Sequence, residues 1–183
     1  TQPPFLAGEL AIGAQARFYA RVAGNTPKEL TEIFIAAEKF KGTSLIEVLQ
    51  NCVIFNNGCF TGFTDKNVRE DRQLHVEHGK PMIFGKNRDR GLVLNGLKLE
   101  VVTIGEDGVT EGDILVHDAR EQDPTLHQML VRLQDPIVTG LIRSYEDVTL
   151  EEREDALTEQ VKANSNFVRT DDLFFSGETY EVK

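Results

Sequence analysis

Tryptophan is absent from the 183 residues, methionine and cysteine occur twice each, and aromatic residues make up only 8%. Two cysteines, Cys52 and Cys59, are too few for a disulfide framework, and by themselves they do not supply the three or four ligands of a metal site. No run of roughly eighteen apolar residues offers a membrane span, and no basic start leads into an apolar core as in a secretory signal. The expected location is therefore the cytoplasm. Positive charge is in deficit: 20 Lys and Arg stand against 30 Asp and Glu, for a formal net charge of −10. Such a surface has little with which to neutralise phosphates, which argues against nucleic acid and anionic membranes as principal partners. Phosphate-binding glycine patterns, nucleophile elbows, zinc-type cysteine pairings and internal repeats are missing as well. What remains is the composition of a globular protein, 40% hydrophobic and 27% charged, long enough for one good core or a core with an appended part.

The best-defined stretch is residues 25–55, NTPKELTEIFIAAEKFKGTSLIEVLQNCVIF. Thr26 suits a helix N-cap, Pro27 the first helical position, and Glu29 completes a capping box. Leu30, Ile33, Phe34 and Ala37 repeat at i, i+3, i+4 and i+7 as one apolar stripe, and Gly42 ends the helix. Leu45, Ile46, Val48 and Leu49 then form a nearly continuous apolar strand, expected to be covered on both faces of a parallel sheet. Residues 17–22, RFYARV, alternate as a preceding strand, so the whole reads as one βαβ unit. Before it, TQPPF and LAGELAIGAQA lack an opening strand, and the chain reads as the later part of something larger.

After residue 58 the character changes. Residues 60–72 have no clear period and read as a loop. QLHVEH, PMIFG, RGLVLNG, LKLEVVTI and DILVHD read as short strands, with a hairpin at GKNRDRG. Asp123 and Pro124 open a helix with Leu126, Met129, Leu130 and Leu133 on one stripe and His127 off it. A last helix starts at Thr149 with Glu152 completing a capping box, its acidic first turn suiting the helix dipole, and presents Leu150, Leu157 and Val161 on one side. The end of the chain carries Leu173, Phe174, Phe175, Tyr180 and Val182, an apolar set expected to dock on the body or on a partner.

Cys52 follows the strand of the βαβ unit, at the end where ligands gather in open α/β sheets. Taken by itself it is a packed structural thiol, a nucleophile or a metal ligand, and a nucleophile would need one of His75, His78 or His117 nearby. The pair His75 and His78 reads as surface or core histidines rather than ligands. A site around His117 and Asp118 has no motif to support it.

Residues 10–58, above all AIGAQARFYAR, KGTSLIEVLQNC and the following IFNNG, resemble the later part of the thiamine-diphosphate-binding beta subunit of bacterial 2-oxoacid:ferredoxin oxidoreductases, most closely the 2-oxoglutarate type. VEHGKPMIFG and GDILVHDAREQDPTLHQMLVRL are similar to the C-terminal extension of that subunit, so the resemblance covers most of the chain. It implies an α/β fold: the remnant βαβ part of a thiamine-diphosphate-binding domain in residues 1–60, followed by a strand-rich α+β C-terminal extension in residues 61–183. It implies oxidative decarboxylation of a 2-oxoacid to an acyl-CoA with reduction of ferredoxin. The cofactors would be thiamine diphosphate, Mg2+ and a 4Fe-4S cluster, and the partners an alpha subunit, ferredoxin, coenzyme A and the 2-oxoacid. Cys52 matches the family's fourth cluster ligand, and Cys59 matches none. The family's other three cluster cysteines and its glycine-aspartate and asparagine motif for magnesium diphosphate have no match here, so the chain is expected to be a C-terminal fragment, inactive alone. The alternatives are a non-catalytic α/β interaction module, or the same enzyme class acting on pyruvate or another 2-oxoacid.

Overall fold

The apolar alternation of RFYARV and SLIEVL becomes a pair of parallel strands in the computed structural model, which describes residues 5–167, 169–178 and 180–182. Strand β1 (Phe18–Ala23) pairs with β2 (Ser44–Leu49) in register from Phe18↔Ser44 to Ala23↔Leu49, and helix α2 (Pro27–Lys39) connects them. The βαβ unit is as expected. All six residues of β1 are buried, whereas β2 is an edge strand with Leu45 exposed, because the sheet order is β2-β1-β7-β3. Coverage on both faces therefore belongs to β1, and β2 has only half of it.

Helix α2 packs Ile33, Ala36 and Ala37 against Phe18 and Ala20, with Phe40 closing the end beside Phe18. Phe34 lies outside that face and is 52% exposed, so of the expected four apolar positions Ile33 is buried, and Leu30 and Ala37 are partly so. The expected capping box does not form: the Thr26 hydroxyl donates to the Ala23 carbonyl at 2.7 Å, and Glu29 turns to His75. Gly42 has φ +119, a conformation that L side chains avoid, and so punctuates the turn into β2.

On the other side of β1 runs β7 (Ile137–Ser144), antiparallel to it, with a register shift between Tyr19 and Ala20; β3 (Gln73–Val76) then adds parallel to β7. The sheet thus joins two strands from the first fifty residues to β3 and to β7, which lies far along the chain. Gly140 permits the join. Its φ is +99, and a Cβ there would sit 2.4 Å from the Val76 carbonyl oxygen. Helix α1 (Ala7–Gly13), formed by the small-residue segment, lies close to β1, since a Cβ on Gly8 would be 2.7 Å from the Tyr19 hydroxyl. Together with Leu74, Leu130, Val138 and Ile142, residues Ala11, Ile12 and Tyr19 make the main core.

Residues 60–72, expected as loop, form two short helical turns, α3 (Thr61–Thr64) and α4 (Arg69–Arg72). A second sheet follows, β4 (Ile83–Phe84), β5 (Arg90–Asn95) and β6 (Lys98–Thr103), antiparallel throughout. The hairpin at GKNRDRG is present between β4 and β5. DILVHD is not a strand, because Glu111–Asp113 turn as a 3-10 helix held by Thr110 and Asp113, and Val116 makes only an isolated bridge with Pro81. Close approach matters here too: a Cβ on Gly91 would be 2.5 Å from Ile114 Cδ1.

Helix α5 (Thr125–Arg132) buries His127 with Leu130 and Val131, so His127 belongs to the inward face rather than off it. Two hydrogen bonds explain this. His127 Nε2 donates to the Asp118 carbonyl at 2.8 Å, and its Nδ1 accepts from Arg143 Nη1 at 2.9 Å. Arg143 also donates to the Glu121 and Gln122 carbonyls, and the neighbouring His117 Nε2 donates to the Leu141 carbonyl at 3.0 Å. These bonds tie the loop after the second sheet to β7. A second polar group lies in β1, where Arg21 Nε donates to Glu47 at 2.7 Å and the buried Tyr19 hydroxyl donates to the same carboxylate.

Residues 1–146 form one compact unit and residues 147–183 another. In the second, α6 (Leu150–Asn164) begins with the expected capping box, Glu152 N donating to Thr149 Oγ1 at 3.1 Å and Thr149 N to Glu152 Oε2 at 2.8 Å. Leu150, Leu157 and Val161 are exposed, as are Leu173 and Phe174 of α7 (Thr170–Phe174). Among the described residues no helix is long and apolar enough to cross a membrane.

Candidate functional site

Strand β2 delivers the chain to a tight loop. Beyond Leu49, whose carbonyl accepts from Gly24 N, Asn51 folds residues 51–58 into a closed turn: its Oδ1 accepts from Gly58 N at 2.7 Å and its Nδ2 donates to Asn57 Oδ1 at 2.9 Å. Asn56 N donates back to the Cys52 carbonyl at 3.0 Å, and Gly58 takes φ +79 to complete the turn. Asparagines and a glycine are the residues this geometry needs, which is why NCVIFNNG folds locally.

Cys52 is exposed at the start of this loop, and Cys59 is half-buried at its end. The backbone amide of Phe55, followed by those of Ile54 and Asn56, holds the Cys52 thiol below its usual range. N–H donors stabilise the thiolate relative to the thiol, so this loop shifts the sulfur in the direction of its anionic form. Around it Val53, Ile54 and Phe55 are 72%, 83% and 89% exposed, an apolar collar. The chemistry available is that of a soft anionic ligand.

The histidines that would serve a nucleophile are engaged elsewhere. His75 Nδ1 lies 2.9 Å from Glu29 Oε1, and that carboxylate holds the imidazole above its usual range; His78 Nδ1 pairs with Asp118 at 3.1 Å. His117 is fully buried, and desolvation pushes it down to about 4. Among the described residues no group of three His, Cys, Asp or Glu is placed to hold a metal ion, so Cys52 stands as a single ligand.

One feature has no motif in the sequence. The N-terminus of α2 faces a cleft of ≈ 400 Å³ that reaches Lys28, Glu29, Arg69 and His75. An adjoining recess of ≈ 280 Å³ adds Glu70 and Thr139. The cleft assembles residues from α2, α4, β3 and β7, which are distant in sequence, so no spacing rule could have found it.

No family model matches the chain. It is 37% identical over 167 residues to the 2-oxoglutarate oxidoreductase subunit KorB of Mycobacterium tuberculosis, a match taking in 89% of this chain and 43% of that subunit. Its fold is similar to that of the 2-oxoglutarate:ferredoxin oxidoreductase from Magnetococcus marinus solved with 2-oxoglutarate, coenzyme A and succinyl-CoA bound. The TM-score is 0.59 at 15% identity, with 97% of this chain and 46% of that chain covered. The chain spans less than half the length of either. The resemblance carried by KGTSLIEVLQNC and VEHGKPMIFG thus holds along the chain, which over most of its length is similar to part of the 2-oxoglutarate oxidoreductase subunit KorB.

Proposed function

We propose that the chain is the C-terminal part of the beta subunit of a cytoplasmic 2-oxoglutarate:ferredoxin oxidoreductase, working with an alpha subunit. The observation that carries this reading is the 37% identity to KorB across 167 residues. A structure of similar fold with 2-oxoglutarate, coenzyme A and succinyl-CoA bound supports 2-oxoglutarate over pyruvate as the acid. The reaction converts 2-oxoglutarate, coenzyme A and two oxidised ferredoxins to succinyl-CoA, carbon dioxide, a proton and two reduced ferredoxins. In this reading residues 1–60 end the cofactor-binding domain and residues 61–183 are its extension.

Cys52 is then the fourth ligand of a 4Fe-4S cluster, the other three cysteines and the Mg2+ and thiamine diphosphate sites belonging to the N-terminal part of the subunit. The residues present fit this role: the sulfur is exposed, biased toward thiolate, and met by amides of Phe55, Ile54 and Asn56. When bound, thiamine diphosphate stabilises the carbanion left by decarboxylation, and the cluster passes electrons singly to ferredoxin. Asn51, bonded to Asn57 and Gly58, would hold the loop that presents the sulfur at the end of β2 as a ligand. Amide donors to a ligating sulfur also disperse its negative charge and favour the reduced state. Cys59 has no part in this.

The test is the activity of the full-length beta subunit co-expressed with its alpha subunit. Coenzyme-A-dependent ferredoxin reduction is expected with 2-oxoglutarate, with kcat/KM at least about tenfold above that for pyruvate, the discrimination expected of a site built to hold a second carboxylate. Absence of coenzyme-A-dependent reduction with any 2-oxoacid would reject the enzyme reading in favour of a non-catalytic interaction module.

A further inference from the structure

The cleft at the start of α2 is distinct from the Cys52 loop, and nothing in the proposed reaction uses it. Three observations meet there. First, because the Thr26 hydroxyl is spent on the Ala23 carbonyl, no side chain caps the first-turn amides of α2, and the positive end of a thirteen-residue helix is left open. Second, Arg69 lines both chambers of the cleft, is only half exposed, and among the described residues its guanidinium makes no ion pair or hydrogen bond.

Third, Thr139 is 1% exposed and its hydroxyl has no hydrogen-bond partner among the described residues. The parallel register of β3 and β7 sets His75 opposite Thr139, and residues opposite one another in a sheet share a face. His75 lines the cleft, so the Thr139 hydroxyl is directed to the same side, at the back of the inner recess. Three donors of different kinds, backbone amides, a planar guanidinium and a hydroxyl, therefore line the same cleft, beside the carboxylate of Glu29.

The acidic residues of the lining do not cancel this. Glu29 Oε1 lies 2.9 Å from His75 Nδ1 and Glu32 4.0 Å from Lys28, which leaves Glu70 as the lining carboxylate without an ion-pair partner among the described residues. An anionic group seated on Arg69 and the helix amides would put the uncharged remainder of its molecule toward Glu70, whose carboxylate accepts hydrogen bonds from hydroxyls. The outer cleft, ≈ 400 Å³, is of the size of a small-molecule site, and the recess behind it adds ≈ 280 Å³.

We infer that this cleft binds a phosphate group, free or as the monoester of a small hydroxylated metabolite, between the N-terminus of α2, Arg69 and Thr139. Helix N-termini favour phosphate because the amides and the dipole act together, and a guanidinium adds two parallel donors to adjacent oxygens.

Calorimetric titration of the full-length subunit at fixed ionic strength tests it, with inorganic phosphate and glycerol 3-phosphate as probes and chloride and glycerol as references. Saturable heats are expected with phosphate and not with chloride. Tighter binding of glycerol 3-phosphate identifies the monoester as the ligand, and equal binding identifies free phosphate. Arg69→Gln is expected to weaken binding about tenfold or more, the usual loss for one charge-assisted contact. Thr139→Val should weaken it, Thr139→Ser should restore it, and Cys59→Ala should leave it unchanged. Phosphate heats no different from chloride, or equal affinity in wild type and a folded Arg69→Gln protein, would overturn the proposal.

Discussion

Acidification is expected to unfold this protein through His117 before its carboxylates explain the loss. The ring is fully buried beneath β7, donates from Nε2 to the Leu141 carbonyl, and is pushed from 6.5 down to about 4, first by desolvation and also by the neighbouring His127. A depressed histidine binds its proton more readily in the unfolded chain. Its contribution to stability is therefore complete above pH 6.5 and is lost as the pH falls from 6.5 toward 4. At about 1.4 kcal/mol per pH unit of difference, the loss by pH 4 is about 3 kcal/mol. His127, also depressed by burial, acts in the same direction; His75 acts oppositely but is close to solvent and contributes little. The assay is urea denaturation followed by far-UV circular dichroism, since the chain has no tryptophan to report. With a urea slope of about 2 kcal/mol/M, the wild-type midpoint should fall by about 1.5 M more between pH 7 and pH 4 than that of His117→Gln, which keeps a donor for Leu141 but does not titrate. Parallel pH curves for the two proteins would show that His117 does not carry the acid sensitivity.

Glu47→Ala strands Arg21, which is buried in β1 with only the Val131 and Val138 carbonyls left at 3.3 and 3.4 Å, and it also removes the partner of the Tyr19 hydroxyl. A loss of about 3 kcal/mol is expected in the same urea assay, and a loss below ~1 kcal/mol would mean that water reaches Arg21 readily. Gly140→Ala combines a left-handed φ with a Cβ 2.4 Å from the Val76 carbonyl, and should cost about 3 kcal/mol or more, read as a lowered melting temperature or insoluble expression; a wild-type melting temperature would show that β3 moves aside without cost.

The parts of the fold legible in the sequence are those governed by local rules. Proline and glycine bounded α2, alternation marked β1, and the Thr149 and Glu152 pair capped α6 as expected. What was not legible depends on partners far along the chain. Strand β7 lies between β1 and β3 in the main sheet, yet its sequence IVTGLIRS hides this behind Thr139, Gly140 and Arg143, whose burial makes sense only once β3 and the His127 loop are in place. DILVHD has the composition of a strand, but it finds only Pro81 to bridge with. Thr26 has the right residue type for a cap, and a competing carbonyl takes its hydroxyl. Cys52 was legible in position, at the end of β2, whereas the amides that bias its sulfur come from how residues 53–56 turn back and have no side-chain signature. The α2 cleft was invisible for the same reason that β7 was.

The role of Cys52 is tested by electron paramagnetic resonance of the dithionite-reduced full-length beta subunit in complex with its alpha subunit, comparing wild type, Cys52→Ser and Cys59→Ala. A 4Fe-4S signal is expected in wild type and Cys59→Ala, and its loss or replacement by an altered cluster signal in Cys52→Ser. An unchanged wild-type signal in Cys52→Ser would contradict the assignment of Cys52 as a cluster ligand.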